Sequence, residues 1–219
     1  MTFSIAGRCA ETGMLGAVVA TSAVAVGNRC IWAEANVGAV QTQHRTDPRL
    51  GPKILEFLKQ GLSPAKAISE LEQSDPDLKW RQLGVISVSG ECAFFNGAKI
   101  TSIKNTLIGN NCVAAGNVLH NSKVVDQMIS TFEQSENEPL AERLLLAIEA
   151  GEEAGGELKQ LKSAALLIVH RESFALVDLR VDLSSQPLIE LRFLWELYQP
   201  GVENFVLRAI QPDIAPGYP

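Results

Sequence analysis

The chain opens Met1-Thr2-Phe3-Ser4-Ile5-Ala6-Gly7-Arg8, and the reading of this stretch decides the rest. Phe3 and Ile5 alternate with Thr2 and Ser4, so one face is apolar and the other polar, the period of a half-buried strand. A strand here holds the terminus rigid instead of letting it fray. The small Thr2 permits removal of the initiator methionine. Its hydroxyl and the new α-amine would then sit on one residue, a nucleophile carrying its own base.

Working outward, Glu11-Thr12-Gly13 is a turn signal and Leu15–Thr21 a second strand, giving an N-terminal hairpin. Val37–Gln43 reads as the next strand, and its end gathers the polar run Gln43-His44-Arg45-Thr46-Asp47. Asp47-Pro48 and Ser63-Pro64 both have the form of a capping residue followed by proline in the first turn. They predict two adjacent helices, with Ile54, Leu55, Leu58 and Leu62 and then Ala67, Ile68 and Leu71 as apolar stripes. Arg81–Val88 and Cys92–Phe95 form a hairpin, and Asn110–Asn117 is a strand closing on a Gly116-Asn117 corner. Helices are expected over Ser122–Phe132, Pro139–Ala150 and Pro187–Tyr198, and strands over Ser163–Val169 and Phe174–Val181. Gly151 to Lys162 reads as a polar, glycine-bearing loop. The segment from Gln199, with prolines at 200, 212, 216 and 219, reads as an extended arm. The expected organisation is one domain over 1–198 followed by this arm over 199–219.

Strand pairs joined by tight turns alternate with helix pairs, which points to an α+β protein of antiparallel sheets with helices outside rather than a doubly wound parallel sheet. Length and composition agree with a soluble domain. The 219 residues, 46% hydrophobic and 20% charged, suffice for one sizeable core. A net charge of -6 without a basic run argues against a nucleic-acid partner. The four cysteines, Cys9, Cys30, Cys92 and Cys112, contain no close pair and are expected as reduced core thiols. His44, His120 and His170 show no metal-ligand spacing, so neither metal nor cofactor is expected. Met14–Val26, with Arg8 upstream and Ala23-x-Ala25 inside, imitates a signal peptide, but Glu11, Gly13 and Gly16 break the pattern. No stretch approaches the ~18 apolar residues of a membrane span, and the expected location is the cytoplasm.

Taken together, Thr2-Phe3-Ser4-Ile5, Glu11-Thr12-Gly13-x-x-Gly16, Val37-Gly38-Ala39-Val40-x-Thr42-Gln43, Asp47-Pro48-x-x-Gly51, Gly116-Asn117, Ser163-Ala164-Ala165-Leu166 and Asp178-Leu179-Arg180-Val181 resemble the bacterial family called domain of unknown function 1028. The resemblance runs in order from Thr2 to about Tyr198. It implies an N-terminal-nucleophile (Ntn) hydrolase-like fold, a four-layer αββα sandwich, with Thr2 in the nucleophile's place. The expected chemistry is hydrolysis of a small amide or peptide, the partners being that small molecule and further copies of the chain.

Gly116 and Asn117 are candidate oxyanion donors. Ser4, Gln43, His44, Arg45 and Ser163 are candidate substrate contacts, each with a plainer structural alternative. The resemblance also exposes departures. Where the family commonly has Gly-Gly-Asp, then an Arg-Gly and a Gln, ahead of Ser-Ala-Ala-Leu, this chain has Gly155-Gly156-Glu157, then Gln160-Leu161-Lys162. Where the family often continues Arg-Val-Asp into Asp-His, Asp182 is followed by Leu183-Ser184.

Overall fold

In the computed structural model, which describes residues 1–217, the strands are β1 (Thr2–Arg8), β2 (Leu15–Thr21), β3 (Ile31–Glu34), β4 (Gly38–Gln43), β5 (Gln82–Ser87), β6 (Cys92–Asn96), β7 (Lys104–Gly109), β8 (Cys112–Asn117), β9 (Ser163–Val169) and β10 (Val177–Val181). The helices are α1 (Leu50–Lys59), α2 (Pro64–Ser74), α3 (Lys123–Gln134), α4 (Leu140–Glu153), α5 (Pro187–Tyr198) and α6 (Val202–Ile210). The strands form two antiparallel sheets, a six-stranded one in the order β10-β9-β2-β1-β8-β7 and a four-stranded one in the order β3-β4-β5-β6.

The alternation in the first eight residues sorts the layers. Phe3 and Ile5 point outward from the large sheet into a core shared with α3, α4 and α5, where Val124, Met128, Leu144, Ile148 and Leu191 are buried with them. The opposite face of β1 carries Ala6 into the space between the sheets, together with Ala17, Val19, Ala39, Ile86, Val113 and Ala165. Small side chains predominate there, so the two sheets approach closely. On the far side of the small sheet, Val40, Leu83 and Val85 pack under Ile54, Ile68 and Leu71 of α1 and α2. The result is the expected four-layer αββα sandwich.

Local signals account for several elements. Ser63 Oγ accepts from the Lys66 N–H 3.4 Å away and Pro64 occupies the first turn, so α2 starts where the sequence says it should. Asp47 acts two residues ahead of α1: its carboxylate accepts from the Arg49 N–H at 3.0 Å and ion-pairs with the Arg49 guanidinium, and the helix begins at Leu50. Gly51 fits against the Trp32 indole, where a Cβ would lie 2.0 Å from a ring carbon. On α5, Arg192 ties the helix to α4 through ion pairs to Glu142 and Glu149, at 2.6 and 2.7 Å.

The sequence reading is corrected at three elements, α6, β3 and β7. The extended arm from Gln199 is instead a short 3-10 turn, Gln199–Gly201, followed by α6. Pro200 stands in the first turn, where its missing N–H costs nothing, and Val202, Val206, Leu207 and Ile210 supply a helical apolar stripe. The last two residues of the arm, 218 and 219, lie outside the described residues. Two strands went unforeseen, β3 and β7. All four cysteines are free thiols, with Cys30 and Cys112 buried. Among the described residues no helix is long and apolar enough to cross a membrane.

Candidate functional site

Thr2 begins a central strand, flanked by β2 and β8 and paired in register with Asn117. It is 5% exposed. Because Phe3 and Ile5 face the helices, Thr2 and Ser4 face the seam between the sheets. The Thr2 hydroxyl lies 3.3 Å from that of Thr21, at the end of β2. Both hydroxyls donate to the Met1 carbonyl oxygen, Thr21 Oγ1 from 2.5 Å. An acyl carbonyl is therefore held between two hydroxyls at the end of the strand.

Below Thr2 the seam is polar and buried. Ser4 Oγ donates to Gln43 Oε1 at 2.8 Å and also reaches Gln41 Oε1. Gln43 Nε2 faces the Thr2 carbonyl at 3.5 Å and donates to Gln82 Oε1 at 2.8 Å, which also accepts from Asn117 Nδ2 at 3.0 Å. Gln82 Nε2 meets Asn96 Oδ1, Thr106 Oγ1 and the Gly116 carbonyl at 2.9–3.1 Å. Gln41, Gln43, Gln82 and Asn117 are fully buried. One buried acceptor, Asn117 Oδ1, has no partner among the described residues.

Glu157 closes the other side. It is 8% exposed and is bridged through its backbone to Leu119, just beyond β8. Its carboxylate accepts from the Ser22 N–H at 3.1 and 3.2 Å. Left-handed Gly155 (φ 123°) and Gly156 (φ 52°) turn the chain from α4 into this position, a conformation that side chains resist. Burial pushes the Glu157 carboxyl above the usual glutamate range, while its bonds from Ser22 and the positive amino terminus pull the other way. The Met1 amine moves in the complementary direction: burial lowers its pKa and the nearby Glu157 charge partly restores it.

Of the residues singled out from sequence, Thr2, Ser4, Gln43 and Asn117 come together through Gln82. Gly116 lies within β8, opposite Phe3 on one side and Asn105 on the other, and the expected corner falls one residue past Asn117, at left-handed Val118 (φ 55°). Ser163 lies opposite Thr21 in the sheet, and its buried hydroxyl donates to the Ala23 carbonyl at 2.8 Å and accepts from the Val26 N–H at 3.1 Å. His44 and Arg45 turn away to Trp80. The first approaches the Trp80 carbonyl through Nδ1 at 2.7 Å, and the second lays its guanidinium 4.1 Å from the ring centroid. Both hold positive φ, 56° and 46°. Sequence reading missed Thr21, Gln41 and Gln82, although three glutamines placed inside strands are themselves a signal, since glutamine is mostly an exposed residue.

The chain is thus a four-layer αββα sandwich whose first strand presents a threonine to the seam between the sheets, the architecture that the sequence resemblance implied. Over residues 2–191 the chain matches DUF1028, a family of unknown function, and it belongs to that family. It is similar to protein SPO2555 from Silicibacter pomeroyi, a DUF1028 crystal structure, with 31% identity and a TM-score of 0.82 over 91% of this chain and 88% of that one. A more distant likeness, 12% identity and a TM-score of 0.43 over 99% of both chains, is to Anbu (ancestral beta-subunit) from Yersinia bercovieri. No curated protein matches the chain significantly.

Proposed function

We propose that the chain is a cytoplasmic amidohydrolase that uses Thr2, exposed by loss of Met1, to cleave a small amide or peptide. The observation that carries this reading is the Met1 carbonyl held against the Thr2 and Thr21 hydroxyls. A substrate carbonyl in that place would meet the nucleophile and a hydroxyl donor together. The free thiols fit a reducing compartment.

In the proposed reaction the Thr2 α-amine takes the hydroxyl proton as Oγ1 adds to the carbonyl carbon. The carbonyl oxygen becomes an oxyanion, with the Thr21 hydroxyl and the Asn117 amide as its nearest candidate donors and the Gly116 backbone behind them. The C–N bond breaks, the proton passes to the departing amine, and an ester is left on Thr2. Water, deprotonated by the same amine, then releases the acid. Ser4 and Gln43 hold the backbone of the nucleophile's strand. The Glu157 carboxylate stands beside the amino terminus and supports its protonated form between steps. Ser163 braces the 23–26 segment. His44 and Arg45 follow the end of β4 and pack toward Trp80, where they would meet only a remoter part of a substrate.

A second reading is a silent member of the fold serving as a binding or assembly module. It is favoured by one observation: the Asn117 side-chain nitrogen is already committed to Gln82. Intact-mass measurement on protein from its own host, followed by treatment with a β-lactone, separates the two. Loss of one methionine and acylation of Thr2, abolished in Thr2→Ala and retained in Thr2→Ser, are expected of the enzyme. A retained Met1, or a processed Thr2 that no acyl donor labels, overturns it in favour of the silent module.

A further inference from the structure

A cavity lies at the opposite end of the large sheet from Thr2. It occupies about 360 Å³ between the β1–β2 turn, the β9–β10 loop and α6, within the usual range for small-molecule sites. The seven residues of β1 at ~3.3 Å each place it roughly 20 Å from Thr2. Its walls are Met14, Phe174 and Leu176 on one side and the stripe of α6, including Val206 and Leu207, on the other.

The helix forming this wall is unusual. No residue of α6 is fully buried, although Tyr198 stacks on Phe205 at 5.1 Å and fixes the helix through a hydrogen bond from its hydroxyl to the Leu176 carbonyl at 3.3 Å. Val202 reaches the core, but Val206, Leu207 and Ile210 are held over the gap, and an apolar group there would complete the missing layer.

The charges at the same cavity are of both signs. Arg171, Glu172 and Glu203 line it, and among the described residues none of the three forms an ion pair or a side-chain hydrogen bond. A ligand with one charge would satisfy one sign and leave the other facing it. A zwitterion satisfies both. A planar guanidinium suits a carboxylate, and an ammonium with three donors suits a site with two carboxylates.

We propose that this cavity binds an apolar α-amino acid, with its side chain under α6, its carboxylate on Arg171 and its ammonium between Glu172 and Glu203. The site does not depend on the chemistry proposed for Thr2.

Calorimetric titration of the full chain with L-phenylalanine tests it, with phenethylamine and 3-phenylpropionate as analogues lacking one charge each. Saturable one-to-one binding of L-phenylalanine is expected, with both analogues weaker by about tenfold or more. Val206→Trp, which fills the cavity, should remove binding while thermal unfolding stays cooperative. Arg171→Ala, on the surface and harmless to folding, should erase the advantage of L-phenylalanine over phenethylamine. Thr2→Ala should bind as the parent does. The proposal is overturned by no saturable heat at millimolar L-phenylalanine, by an analogue binding equally well, or by undiminished binding to a folded Val206→Trp variant.

Discussion

Glu157 links folding to pH. Its carboxyl is buried, and burial holds its pKa above that of an exposed glutamate. The folded chain therefore keeps a proton that the unfolded chain releases. That contribution to stability is present at acid pH and is lost as pH rises from the ordinary glutamate value through the raised one. Glu157→Gln keeps an oxygen to accept from Ser22 but cannot ionise, so its stability relative to the parent should increase over that interval and level off above it. Urea denaturation at a series of pH values checks this, and a parent and variant with parallel profiles would show that the carboxyl titrates normally. The sequence marked this residue only as a departure, glutamate where the family has aspartate. The structure places its carboxylate on the Ser22 N–H, near the amino terminus. Thr2 was legible because alternation alone fixes its face. Thr21 was not, because nothing in a strand's own pattern says which residue of a neighbouring strand will lie opposite.

At the scale of elements, the seam between the sheets depends on Gln82, at the start of β5. Its amide links β4 and β8 through Gln43 and Asn117, and β6 and β7 through Asn96 and Thr106. Gln82→Leu keeps much of the volume but leaves several buried polar groups without partners, each worth about 1–3 kcal/mol. A loss of about 2–5 kcal/mol in unfolding free energy is expected, and a change below 1 kcal/mol would mean that water replaces the amide. Most elements were legible from period and capping, as with Ser63-Pro64 at α2 and Pro187 at α5. The two unforeseen strands lacked those signals. β3 has four residues, too few to show a period, and β7 is an edge strand in which only Thr106 is buried. The prolines around α6 suggested an extended chain, yet they flank the helix instead of interrupting it. In α5, Ile189, Phe193 and Leu197 are 64%, 57% and 65% exposed on one side while Leu188, Leu191 and Trp195 are buried on the other, so its sequence showed a helix without showing which face was inward.

For the whole molecule, strand order decides which parts move last. β1 and β2 lie inside the six-stranded sheet, covered by helices on one face and by the small sheet on the other, whereas β7 and β10 are its edges. Native-state hydrogen exchange should find the amides of β1, β2 and β8 among the slowest and those of α6 among the fastest, since no α6 side chain is fully buried. Equal protection of α6 and β1 would contradict this reading. The layer architecture followed from the sequence because each layer has its own local pattern. The order of strands within a sheet did not, since it is set by pairings between distant residues.

The central place of β1 also fixes an order of events. Thr2 pairs with Asn117, so β1 waits for the chain as far as β8 before its second edge is covered. Once β8 docks, the Met1 carbonyl is held by the Thr2 and Thr21 hydroxyls and the amine is partly buried near Glu157. If Thr2 is the nucleophile proposed above, its exposure is favoured before the sheet closes around it. Fast folding or slow processing would then leave a share of molecules with Thr2 still capped by Met1. A tag fused ahead of Thr2 would block every one, so a preparation's activity would measure how its terminus was made as much as what its site can do.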